Sequence, residues 1–199
     1  MKKSLLTLVT LFVVSQTTFA QLRDSVLVEK PIFRIMYSET KEQPLWVEYT
    51  VRKITKGADR KGMDFFEESD YHTSNNYDYV SNEWDKGHMA PAAHFADTKQ
   101  NLAQTFTYLN SALQHQKLNR VQWRLLEEKE REWAEVFGEL DVRVDVIFDD
   151  VPQVLPTGAE IPDAFYKRIY FRSTQKWQCY YFLNEPPTKP WNEYEVECK

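Results

Sequence analysis

The sequence predicts an α+β fold, a mixed antiparallel sheet with one prominent helix. Two observations carry this: several segments alternate apolar with polar side chains in the strand period of two, and one long segment spaces its apolar residues as a helix does. Phe33 to Tyr37 and Leu45 to Ile54 come first, rich in aromatic and branched residues, with Pro44 expected as the turn residue between them. Lys56 to Asn82 is polar, punctuated by Gly57, Gly62 and Ser74-Asn75-Asn76, and reads as a long loop holding a short strand around Met63 to Phe66. Loops of that length in compact domains are often functional. From Leu118 to Trp133, Leu118, Val121, Leu125 and Leu126 fall at helical spacing with charge on the opposite face. Val142 to Phe148, Phe165 to Phe171 and Trp177 to Leu183 complete the set of strands.

Composition bounds the function. The 199 residues suit one domain, and 28% charged residues with a negative mean hydropathy argue against an integral membrane protein. Five glycines, at 57, 62, 87, 138 and 158, are too few and too scattered for a P-loop or a GxGxxG dinucleotide turn. No repeat, low-complexity run, helix-turn-helix, RRM or zinc-finger pattern is present. Lys2 and Lys3 precede an apolar run, Leu5 to Val14, followed by Thr18-Phe19-Ala20, with small residues where a signal peptidase reads. Residues 1–20 are therefore expected to be a signal peptide and 21–199 a single exported domain, periplasmic or extracellular; the run is too short to favour a membrane anchor. Losing those two lysines and no acids takes the formal charge from −5 to −7. Cys179 and Cys198 lack a zinc-ligand spacing; in an oxidising compartment they either pair or remain free thiols.

Chemistry concentrates around His88, in Trp84-Asp85-Lys86-Gly87-His88-Met89-Ala90-Pro91. Here a base, a fixed cation, a close-approach glycine and an acid able to orient a neighbour are adjacent. The segment DKGHMAPAAHF resembles the DRGH motif of the DNA/RNA non-specific endonucleases, the ββα-metal (His-Me finger) family of secreted bacterial nucleases and mitochondrial endonuclease G. Thr105-Phe106-Thr107-Tyr108-Leu109-Asn110, Gln114, Leu118-Asn119, Trp123 and Glu127 follow the family's downstream spacing without gaps. Weaker matches, Pro44-Leu45-Trp46-Val47-Glu48-Tyr49 and Ile161-Pro162-Asp163-Ala164-Phe165-Tyr166-Lys167, extend the resemblance over about residues 33–183.

The resemblance implies hydrolysis of DNA and RNA phosphodiesters by a divalent ion, usually Mg²⁺, with Mn²⁺ or another ion as alternatives. It makes His88 the general base, Asn119 the single direct metal ligand and Glu127 a partner of water near the ion, with Asn110 ordering the site. Regular α-helical geometry sets Glu127 about 12 Å along and about 80° around from Asn119, too far to share an ion directly. Glu127 also belongs to a run, Glu127 to Glu132, that ordinarily forms a solvated helix face. Lys86 departs from the family's arginine: it keeps the charge and loses the planar fork. Arg60 resembles the upstream arginine that stabilises transition-state charge, with Arg52 and Lys61 as alternatives. Residues 52–63 hold five bases against one acid and residues 85–126 five against two, so the segments expected to flank a phosphate are basic within an acidic chain. The family includes dimers, so a homodimer is allowed; an inhibitor protein is not legible. The alternative reading is a catalytically impaired relative that binds nucleic acid or protein.

Overall fold

A computed structural model describes residues 21–55 and 57–199. The expected signal peptide lies outside these residues. Along the chain come β1 (Val26–Glu29), β2 (Phe33–Ser38), β3 (Gln43–Val51), β4 (Trp84–His88), α1 (Lys99–Gln104), β5 (Ser111–His115), a π-helical turn (Leu118–Trp123), α2 (Arg124–Phe137), β6 (Leu140–Ile147), β7 (Gln153–Val154), β8 (Glu160–Ile161), β9 (Ala164–Phe171), β10 (Lys176–Leu183) and β11 (Glu195–Val196). Seven strands make one sheet in the order β1-β2-β3-β6-β9-β10-β11, every neighbouring pair antiparallel.

Period-two patterning sets the faces of this sheet. Along β6, Leu140, Val142, Val144 and Val146 are buried while Asp141, Arg143 and Asp145 face outward. Phe33, Ile35 and Tyr37 of β2 and Val47, Tyr49 and Val51 of β3 fill the same core. The outer face is laced by ion pairs across strands, Arg143 to Glu48 at 2.8 Å and Arg168 to Asp145 at 2.7 Å. Against the inner face lies the second layer: β4 and β5 form an antiparallel hairpin, and the π-turn with α2 follows directly, a ββα unit. Wholly buried Trp123 packs between Phe165 of β9 and Phe182 of β10 and docks the start of the helix on the sheet.

The structure corrects several local expectations. Residues 39–42 make the β2–β3 turn, with Glu42 at a φ of 54°, and Pro44 lies inside β3 opposite Tyr37. A register shift between Met36 and Tyr37 adjoins that pairing, the kind of irregularity that accommodates a residue without an N–H. The expected strand at Met63 to Phe66 reduces to one parallel bridge between Phe66 and Thr107. The helix runs on to Phe137, where Gly138 at a φ of 82° ends it. Cys179 and Cys198 form a disulfide, with Cα atoms 5.3 Å apart, that holds the terminal strand β11 beside β10. Among the described residues no helix is long and apolar enough to cross a membrane.

Candidate active site

His88 ends β4, and its position is fixed from behind by Asn110. The Asn110 side chain accepts from the Ala90 amide at 2.8 Å and donates to the carbonyls of Ala90 and Thr105 at 2.9 and 3.0 Å, while its own carbonyl accepts from the Met89 amide. Every polar atom of that wholly buried amide is thereby used, so Asn110 is a staple for the backbone beside His88. In front, the 57–82 loop is pinned by paired backbone bonds between Phe66 and the Phe106 and Tyr108 segment. This lays Phe65 over the imidazole, ring centroids 4.7 Å apart, with Phe106 edge-on at 5.0 Å. His88 Nε2 is shielded from solvent and has no hydrogen-bond partner. Burial, and to a smaller extent the Arg60 cation, push its pKa down to about 3, so the ring is neutral at pH 7.

Two cations flank this base. The Arg60 guanidinium lies 5.7 Å from the centre of the Phe106 ring, on the loop that covers His88. Arg52 instead pairs with Glu139 at 2.8 Å, and the Lys61 amide donates to Asp59, so of the three candidates Arg60 is the one whose charge acts on His88. Lys86 shares the face of β4 with His88. Its ammonium sits 5.3 to 5.9 Å from the centres of the Phe65, Tyr79 and Tyr108 rings and donates to Asn76 Oδ1, which also accepts from the Tyr108 hydroxyl at 2.7 Å. Asn76 was not anticipated from the sequence. Its only signal was the Ser74-Asn75-Asn76 cluster in a long loop.

Gly87 is required for a different reason from ligand approach. A Cβ there would stand 2.6 Å from Gln114 Cβ on the paired strand, so glycine is what lets the hairpin close over Gln114. Both amide atoms of Gln114 are buried without partners. Asp85, on the opposite face of β4 from His88, orients the helix rather than the base: it accepts from Asn119 Nδ2 at 2.9 Å and pairs with Arg120 at 2.6 Å. Among the described residues no hydrogen bond or ion pair joins His88 to Asn119 or Glu127; Asp85 of strand β4 ties Asn119 to the strand that carries His88.

Asn119 and Glu127 are brought to one helix face by the π-turn. An i to i+5 turn takes in one extra residue, so their spacing of eight acts as seven, about 20° apart around the axis rather than about 80°. The cost of the turn is a carbonyl left without its usual amide. Arg120 O recovers a partner in the Arg124 side chain at 3.1 Å. Glu127 is half-buried, and desolvation carries its pKa up to about 7 against the pull of Lys167. The expected solvated run is interrupted by Glu130, wholly buried and paired with Lys167 at 2.7 Å.

These residues suit a hard divalent ion. The Asn119 amide nitrogen is committed to Asp85, which directs the amide oxygen elsewhere, and a neutral amide oxygen is a hard donor of the kind such an ion takes. Among the described residues no three His, Cys, Asp or Glu side chains gather to cage a metal. An ion on Asn119 would therefore keep most of its waters, as Mg²⁺ does.

A family model described as DNA/RNA non-specific endonuclease matches residues 14–199. The mitochondrial nuclease EXOG of Danio rerio is 31% identical over 111 residues, 53% of this chain and 32% of that protein. Human mitochondrial endonuclease G is 30% identical over 110 residues, again 53% of this chain and 37% of the relative. The chain thus spans about a third of the length of these curated relatives. A solved complex of EndoG with EndoGI, described as revealing the mechanism of EndoG inhibition, superposes with a TM-score of 0.76 at 23% identity, over 90% of this chain and 82% of that one, a likeness of fold.

Proposed function

The chain belongs to the DNA/RNA non-specific endonuclease family, and from that premise we propose that it is an exported, Mg²⁺-dependent enzyme that hydrolyses DNA and RNA phosphodiesters with little sequence preference. One observation carries the reading. A neutral imidazole with an unshared Nε2 is flanked by Arg60 and Lys86, on a strand whose Asp85 holds the candidate metal ligand Asn119.

In this mechanism His88 Nε2 takes a proton from the attacking water as its oxygen bonds to phosphorus. The bond to the leaving oxygen breaks, and that oxygen departs with the electron pair and is protonated by solvent. Burial weakens His88 as a base, and the negative charge of a bound phosphate offsets this by favouring the imidazolium. Arg60 and Lys86 neutralise charge gathering on the phosphate oxygens, and Glu127 orients solvent on the Asn119 face of the helix. Asn119 would hold the divalent ion, which when bound would supply Lewis-acid stabilisation of that same charge. Export is supported by Lys2, Lys3 and the apolar run after them, and by the Cys179–Cys198 disulfide, a bond at home in oxidising compartments.

The test is cleavage of supercoiled plasmid and total RNA by residues 21–199 with Mg²⁺, with Mn²⁺ and with EDTA, alongside His88→Ala and Asn119→Ala. Loss of both polymers in the wild-type lanes with metal alone is expected. A mobility shift without nicking from folded protein at every metal tried would replace this reading with that of a binding module.

A further inference from the structure

The inner face of β9 presents Phe165, Lys167, Ile169 and Phe171, and an aliphatic side chain would continue that series. Lys167 instead buries an ammonium with no exposure at all, paired with an equally buried Glu130 at 2.7 Å. Buried ion pairs seldom repay their desolvation, and apolar replacements of similar volume are often neutral or stabilising. Core stability alone therefore gives no reason for a lysine there.

What the ammonium touches supplies one. It lies 4.0 Å from the centre of the Trp123 ring, and Trp123 closes the π-turn that begins next to Asn119. Its partner Glu130 stands one helical turn beyond Glu127 and accepts from the Tyr49 hydroxyl of β3 at 3.1 Å. His94, wholly buried in the turn after His88, has Nε2 3.3 Å from the same carboxylate, and neither of its ring nitrogens makes a hydrogen bond. Three site-bearing elements thus converge on one charge pair: the π-turn, α2 and the turn at Ala92–Phe95.

We infer that Lys167 is a positioning residue for the metal site, one buried cation that through Trp123, Glu130 and His94 fixes the Asn119 turn, the Glu127 helix face and the turn following His88 relative to one another. This rests on the nuclease reading above. The charged and titratable groups gathered at the cluster are Lys167 of β9, Glu127, Glu130 and Arg131 of α2, His94 and Tyr49.

The test compares wild type, Lys167→Met and the charge-balanced Lys167→Met/Glu130→Gln pair. Readouts are circular dichroism, Mn²⁺ affinity from the electron paramagnetic resonance of free Mn²⁺, and kcat and KM on plasmid. The double variant removes both buried charges, so it stays folded even if Lys167→Met alone does not. Mn²⁺ affinity at least fivefold weaker in the folded double variant, with kcat down and KM unchanged, is the expected result. Wild-type affinity and kcat in that variant would overturn the proposal, reducing Lys167 to a countercharge for Glu130. Mn²⁺ binding by wild type that Asn119→Ala leaves unaltered would overturn the metal-site reading itself, and this inference with it; binding that needs Asn119 and not Lys167 overturns this inference alone.

Discussion

Asn119 donates its amide hydrogen to Asp85 at 2.9 Å, and the same carboxylate grips Arg120 at 2.6 Å. The first residues of the π-turn are thus tied to the strand that ends in His88. Because the contact uses the nitrogen of the amide, it chooses which way the oxygen points. Partners that orient a metal ligand typically account for 10- to 100-fold in metal affinity. Asp85→Ala is expected to weaken divalent-ion binding by about tenfold or more, measured by Mn²⁺ titration, with thermal stability nearly unchanged because Arg120 is solvent-exposed. Unaltered affinity would mean that the π-turn alone orients Asn119.

Two of the perturbed ionisations lie at the candidate site and contribute to the pH dependence of stability. His88 has a pKa depressed from 6.5 to about 3, so its contribution is present above pH 6.5 and is lost as pH falls through 3, where the folded state resists a proton the unfolded chain accepts. Glu127 is raised from 4.5 to about 7, so the fold bears the cost of ionising it as pH rises from 4.5 through 7. His88→Gln should make the acid limb between pH 6.5 and 3 shallower, with the buried His94 still contributing to it, and Glu127→Gln should reduce the change between 4.5 and 7, each read as Tm against pH. Parallel curves for His88→Gln and wild type below pH 6.5 would contradict the burial of Nε2.

Gly87→Ala sets a Cβ 2.6 Å from Gln114 Cβ in the middle of the β4–β5 hairpin. Overpacking of a closed site costs about 1–3 kcal/mol, and here the strain falls on the strand that carries His88. Urea unfolding should register that loss, and Gln114→Gly in the same chain should restore much of it by removing the opposing atoms. No recovery in the double variant would show that Gly87 is needed for backbone reasons, although its φ is not in the left-handed region.

Legibility in the sequence followed the physics of each segment. β2, β3, β6, β9 and β10 could be read because one face of the large sheet is buried and the other wet, so their side chains alternate. β5 could not, since all five of its residues are buried, and β4, spelled Trp-Asp-Lys-Gly-His, has little intrinsic strand preference and exists through its pairing. The role of Asp85 was hidden for a related reason: proximity in sequence to His88 suggested a contact that strand alternation forbids. The π-turn leaves no periodic trace, and without it Asn119 and Glu127 look misaligned. Glu130 and Lys167 were each concealed by a local pattern, an acidic helix run and an apolar strand, because charge burial is decided by a partner 37 positions away.

Lys86 occupies the position where the family usually has arginine, and its surroundings define what the substitution does. Phe65, Tyr79 and Tyr108 present ring faces to the ammonium, which donates to Asn76 Oδ1 and pairs with the exposed Asp64 carboxylate at 3.4 Å, an enclosure matched to a compact point charge. The cation is held in place even without the planar fork. Removing the charge with Lys86→Met is expected to lower kcat on plasmid by about 10² to 10³, the usual effect of deleting one preorganised charge-stabilising donor, with a smaller change in KM. Lys86→Arg keeps the charge but must displace Asn76 or the Tyr108 hydroxyl to fit its fork, so its activity should stay within about tenfold of wild type and should rise when Asn76→Gly makes room. Steady-state cleavage of a fluorescent duplex across these four proteins reads the comparison. Full activity in Lys86→Met would remove Lys86 from the phosphate site and leave Arg60 as its cation.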